Sequence, residues 1–145
     1  MGIADLAIRD AVADDCAAMA RLIEELGYPG ITPQAVAERL ADLARLEGRA
    51  LVGVIEGQVI ACLTLSKMRV LHRPLPVGRI SMFVVGAQWR GQGIGSAMLD
   101  RAEARLREEG CGVIEVTSNM RRTRAHAFYE ERGWTRSSYR FSREG

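Results

Sequence analysis

Residues 84–99, VVGAQWRGQGIGSAML, constrain the fold of this chain more tightly than any other stretch. They close an apolar run, GRISMFVV (78–85), with the length and β-branched content of a strand. Glycines then alternate at Gly91, Gly93 and Gly95. Ile94, Met98, Ala102 and Leu106 follow in one i, i+4 row, with charged residues from Asp100 to Glu109 on the other side and Gly110 as a stop. The pattern predicts a helix that begins near Gly91. A strand that turns through glycines straight into a helix leaves main-chain N–H groups bare, where the helix start also carries partial positive charge. Arg90 adds a permanent guanidinium at the same place. Such a segment either cradles a diphosphate, which a Cβ at 93 or 95 would obstruct, or is a turn whose glycines serve close helix–sheet packing.

Known nucleotide loops are a poor match. The glycines alternate rather than following GxGxxG, no acidic ribose partner lies on a following strand, and no Gly-Lys-Ser/Thr occurs. Around this centre the chain reads as one domain over residues 1–145. Residues 5–10 suit a strand. Asp14 is placed to cap a helix carrying Cys16, Met19, Ala20, Ile23 and Leu26 up to Gly27, and Tyr28-Pro29-Gly30 is a turn. Thr32 and Pro33 open a second helix with Val36, Leu40 and Leu43 as its buried stripe. Strands at 49–56 and 58–66 flank Gly57 as a hairpin, and a loop with Pro74 and Pro76 covers 67–78. A strand at 111–118, a helix at 124–132 and a C-terminal strand from Gly133 to about Ser142 complete the order β-α-α-β-β-β-α-β-α-β. That order predicts an α/β (α+β) domain: a mixed central sheet flanked by helices.

Charge and cysteine usage narrow the classes. Twenty basic against 18 acidic side chains give a net charge of +2, without the basic excess of a nucleic-acid binder. Cys16, Cys62 and Cys111 lie far apart in apolar stretches, and His72 and His126 are isolated, so buried core thiols are expected, with no disulfide framework and no metal site. The start MGIADLAIRD has no apolar signal run, Gly2 lacks the Ser or Thr that lipidation wants because Leu6 stands there, and no segment is apolar enough to span a bilayer. A cytoplasmic location is the expectation.

Two segments together carry a family resemblance. Arg90-x-x-Gly93-x-Gly95 after an apolar strand is similar to the acetyl-CoA signature of the GCN5-related N-acetyltransferases (GNAT family). Ala125 to Trp134, AHAFYEERGW, resembles that family's second signature, a helix with an Ala-x-x-Phe-Tyr core followed by Gly-aromatic. The element order fits the whole chain, with residues 80–134 the specific part.

The resemblance implies the acyl-CoA N-acyltransferase (GNAT) fold and acetyl-CoA (coenzyme A) as cofactor, its arm lying between two splayed parallel strands at 80–85 and 111–117. Phe83, Val84 and Val85 would pair their backbone with that arm, and a main-chain N–H near Val84 or Val85 would polarise the thioester carbonyl. Arg90, Gly91, Gln92, Gly93, Ile94, Gly95 and Ser96 would cradle the pyrophosphate. Tyr129 matches the family's tyrosine that protonates the leaving thiolate, against a plain packing role. Ser81 and Met82 stand where many members carry an acid, which leaves Glu115 on the next strand, or water alone, to take the amine's proton. Arg122 replaces an asparagine common in the family and is assigned to the cofactor, while Asn119 is out of register. The reaction would be direct attack by a primary amine in a ternary complex. A small cationic amine is favoured and a protein amine is the other possibility, met by Glu24, Glu25, Tyr28 and His72, with Tyr139 and Phe141 also in the acceptor-reading segments. Rival readings are a catalytically silent acyl-CoA-binding module and a nucleotide-binding domain of another kind. A homodimer is compatible with the family.

Overall fold

The computed structural model of the chain describes residues 3–118 and 120–145; Gly2 and Asn119, both singled out above, lie outside them. Among the described residues the strands and α-helices follow one another as β1 (Ala7–Asp10), α1 (Cys16–Leu26), α2 (Pro33–Arg45), β2 (Arg49–Ile55), β3 (Gln58–Met68), β4 (Val77–Val85), α3 (Ile94–Glu108), β5 (Val113–Val116) and α4 (Thr123–Glu131). The strands form one sheet in the order β1-β2-β3-β4-β5, antiparallel except for the parallel β4–β5 pair.

Alternation along each strand sends side chains to two separate cores. On one face Leu51, Leu63, Leu65 and Ile80 meet the predicted α3 row of Ile94, Met98, Ala102 and Leu106, all four of which are buried. On the other face Ala50, Val52, Cys62 and Val84 meet Cys16, Met19 and Leu22 of α1 and Val36 of α2. The chain is therefore a helix–sheet–helix sandwich, with α3 on one side and α1 and α2 on the other. All three cysteines are free and buried. Among the described residues no helix is long and apolar enough to cross a membrane, and no cluster of His, Cys, Asp or Glu could hold a metal ion.

Local chemistry explains most boundaries. Thr32 Oγ1 accepts from the Ala35 N–H at 3.1 Å and Pro33 takes the first helical position, as the sequence predicts. Glu56 and Gly57 both take positive φ, 50° and 77°, giving the tight turn whose twist suits the β2–β3 hairpin.

Elsewhere the structure corrects the sequence. The first expected strand is shorter than 5–10: Asp5 ends a 3-10 turn at Ile3–Asp5 and β1 begins only at Ala7. Another 3-10 turn at Ala13–Asp15 precedes α1, and the aspartate that closes this start is the buried Asp15, not Asp14. Asp15 accepts the Val12 N–H at 2.8 Å and both Arg9 nitrogens at 2.7 and 3.0 Å. Helix α3 begins at Ile94 rather than near Gly91, because Gly91 and Gly93 take φ of 76° and 85°, outside the right-handed helical region. The C-terminal strand is absent among the described residues: the chain from Gly133 onward is irregular, with Tyr139 and Phe141 83% and 92% exposed. Alternation supplies a strand's side-chain pattern, but a strand forms only where another backbone accepts its hydrogen bonds, and this segment pairs with none.

Candidate active site

The decisive local feature is a fault in the sheet. Strand β4 pairs with β3 through Leu65↔Ile80 and Leu63↔Phe83, so two β4 residues, Ser81 and Met82, oppose Thr64 alone. This is a β-bulge, and Thr64 stitches it. Its Oγ1 accepts the Met82 N–H at 3.1 Å and lies 2.7 Å from Ser81 Oγ. A bulge bends its strand and increases local twist. The consequence falls on the other side of β4, where the ladder to β5 runs from Val77↔Val113 to Ile80↔Val116 and stops. Residues 81–85 therefore keep a main-chain edge with no strand across from it among the described residues, and the sheet opens between β4 and β5.

The N-terminus of α3 faces the same region. Gly93, left-handed, is its N-cap without a side-chain cap, and the first helical bond runs from the Ala97 N–H to the Gly93 carbonyl. The N–H groups of Ile94, Gly95 and Ser96 thus have no partner within the helix. A Cβ at Gly91 would meet nothing within 4 Å, and one at Gly95 only the rings of Phe128 and Phe83 at 3.6–3.7 Å. The space at Gly91 is open, whereas the two rings already pack against Gly95. Arg90 is held at the mouth, Nε donating to the Val85 carbonyl at 3.0 Å, and Gln92 folds back on the Gln88 carbonyl at 3.3 Å.

Arg132, which the sequence reading did not place in the site, adds a second cation. Its Nε donates to Ser96 Oγ at 3.1 Å, its Nη1 to the Phe128 carbonyl at 3.2 Å, and its guanidinium carbon lies 3.8 Å from the Phe128 ring centroid. The sequence held no signal for it, because only the packing of α4 against α3 brings residues 36 apart together.

An aromatic row connects the sheet opening to α4. Phe83 meets Phe128 edge-on at 6.3 Å, Phe128 meets Tyr129 at 5.4 Å, and Tyr129 meets Trp134 at 6.1 Å. Burial among these groups pushes the Tyr129 phenol up to about 12, against a smaller opposing pull from the Arg122 charge. Ser118 follows β5 at the edge of the opening, and its Oγ is buried without a hydrogen-bond partner. It too went unremarked in the sequence. Bare N–H groups with two guanidiniums, an unpaired strand edge and an orphan hydroxyl fit a ligand with a diphosphate and an amide-bearing arm.

Other residues singled out from the sequence are placed differently. Glu115 lies within the paired part of the ladder, opposite Arg79, which grips its Oε1 through Nη2 and through Nε at 2.9 Å. With Ile114 and Val116 packed toward α3, its side chain leaves by the other face, short of the opening. Arg122 donates to the Leu26 carbonyl at 2.6 Å, tying the start of α4 to the end of α1. Glu25 accepts the Ala87 N–H at 2.9 Å and so fixes the turn after β4. Glu24, Tyr28 and His72 are exposed, as are Tyr139 and Phe141.

Comparison with known proteins bears on this arrangement. The family model described as acetyltransferase (GNAT) family matches residues 16–134. Aminoalkylphosphonate N-acetyltransferase of Salmonella typhimurium is 36% identical over 87 residues, 60% of this chain and 56% of that protein, so the chain spans little more than half the length of that relative. Aminoglycoside N(6')-acetyltransferase type 1 of Stenotrophomonas maltophilia is 28% identical over 134 residues, 88% of this chain and 84% of that one. A Trypanosoma brucei acetyltransferase superposes with a TM-score of 0.84 at 22% identity, covering 97% of this chain and 99% of its own, a likeness of fold.

Proposed function

This chain belongs to the acetyltransferase (GNAT) family, and from that premise we propose that it moves the acetyl group of acetyl-CoA to the primary amine of a small molecule. The observation that carries the proposal is the opening of the sheet after Ile80↔Val116, beside the bare N-terminus of α3. Acetyl-CoA supplies an acetyl thioester ready for attack. Arg90, Arg132 and the N–H groups of residues 94–96 would hold its diphosphate. The free edge at Phe83, Val84 and Val85, with Ser118 opposite, would bond the amide-bearing arm, and a main-chain N–H at Val84 or Val85 would take up charge as the carbonyl is attacked.

As the N–C bond forms and the C–S bond breaks, the thiolate needs a proton and the amine must lose one. Tyr129 is the donor in this scheme: with its phenol pushed up to about 12 it is protonated at any working pH. For the amine's proton the scheme uses water, because Glu115 is engaged by Arg79 and the bulge offers only Ser81 and Met82. The two curated relatives act, by their names, on aminoalkylphosphonates and aminoglycosides, both small amines, which supports a small acceptor over a protein.

Calorimetry with acetyl-CoA and a thiol-release assay test the proposal together. The expected result is one acetyl-CoA per chain and thiol release that depends on added amine. Uptake without turnover on any amine would instead make this a silent acyl-CoA-binding module.

A further inference from the structure

The sheet face toward α1 and α2 carries a feature that neither the fold nor cofactor binding requires. A cavity of about 130 Å³ sits there, walled by Met19, Ile23, Val36, Leu40 and Met82, with Arg39 at its rim. It continues into a shallower groove along α2, past Arg39 and Asp42, whose floor is Thr64 and Ser81. Thr64, Ser81 and Met82 are the bulge, so both hollows reach the stretch of β4 that follows its last pair with β5, Ile80↔Val116. The cavity wall is almost wholly apolar, which suits a short hydrocarbon segment.

The charge at its rim is the informative part. Arg39 is exposed, and among the described residues its guanidinium has no ion pair or hydrogen bond, whereas Asp42 in the same groove is already paired with Arg45 at 2.8 Å. Of the acidic residues thought to attract a cation, Glu25 is bound to the Ala87 N–H. An acceptor with a second positive group would have to desolvate it against hydrocarbon and bring it toward an unbalanced guanidinium. An acceptor with an anionic head would find a planar, permanently charged fork.

Resting on the acetyl-transfer reading above, we infer that the acceptor is a primary amine joined by a short hydrocarbon segment to an anionic head, a carboxylate or a phosphonate, which Arg39 holds. The apolar cavity takes the hydrocarbon and the bulge presents the amine to the opening. This turns the charge preference around from the cationic amine expected from Glu24 and Glu25.

The test is a thiol-release panel of equal chain length: an ω-amino carboxylate, an aminoalkylphosphonate, the uncharged alkylamine and the terminal diamine, with kanamycin added. In the wild-type enzyme both anionic amines should exceed the alkylamine in kcat/KM by about 10-fold or more, the larger of the two identifying the head group, and the diamine and kanamycin should come last. Arg39→Gln should remove that advantage, seen as a rise in KM for both anionic amines relative to the alkylamine. Arg39→Glu should move the diamine ahead of the carboxylate, an inversion that a merely structural arginine would not produce. A wild-type preference for the diamine or kanamycin overturns the inference, as does a ranking indifferent to residue 39. Either result, obtained with normal acetyl-CoA uptake, leaves acetyl transfer standing; absence of that uptake removes the acetyl-transfer reading itself.

Discussion

Replacing Gly93 by alanine separates a ligand-binding glycine from a merely permissive one, because the same helix supplies a control. Gly93 caps the start of α3 at φ 85°, and Gly110 follows its end at φ 93°. Alanine at either site disfavours the left-handed conformation by about 1–2 kcal/mol. At Gly93 the new Cβ would also meet Ile3 Cδ1 at 3.1 Å, a contact a flexible side-chain end can relieve, whereas at Gly110 it meets nothing within 4 Å. Both variants should therefore melt lower, by about 2–8 °C per kcal/mol. Their binding should differ. Relaxing residue 93 toward negative φ re-aims the N–H groups of the first turn of α3, and losing one charge-assisted bond to a phosphate is worth about 1.5–3 kcal/mol, or about 10- to 100-fold in Kd. Calorimetric titration with acetyl-CoA should show that loss for Gly93→Ala and an unchanged Kd for Gly110→Ala. Equal weakening in both, or in neither, would refute the assignment of the α3 start as the diphosphate cradle.

Three further outcomes follow from single contacts. Tyr129→Phe should lower kcat by about 100-fold or more while acetyl-CoA affinity holds; because burial raises the phenol to about 12, the wild-type rate should show no alkaline fall below about pH 11 that this substitution removes. Glu115→Gln should leave the pH–rate profile intact and cost less than about 1 kcal/mol in a denaturant titration, since Glu115 and Arg79 are both partly exposed; loss of an acidic limb would restore Glu115 as the base. The hydrogen bond from Arg9, then that from the Val12 N–H, holds the Asp15 carboxyl below its ordinary range against the opposing effect of burial. The stability it confers is thus full above about pH 4 and lost as pH falls through the folded value, so Asp15→Asn should cost about 1–3 kcal/mol at pH 7 and progressively less in acid.

Local chemistry determined a good deal of this protein by itself. The i, i+4 row of α3, the Thr32–Pro33 start of α2, the turn at Gly57 and the alternating glycines at 91 to 95 each act through neighbours within a few residues, and such interactions are written in the order of the chain. They were enough for the architecture and for the glycine turn that opens α3. Contacts between residues distant in sequence were decided only in three dimensions. The bulge depends on Thr64 meeting Ser81 and Met82 across a strand pair, Arg132 reaches Ser96 only because α4 packs on α3, and Glu115 is withdrawn by an arginine 36 positions away. The unformed C-terminal strand belongs with these, since alternation specifies a face but hydrogen bonds need a partner. A periodic pattern records which way a side chain points; what it meets there depends on elements whose approach no local window contains.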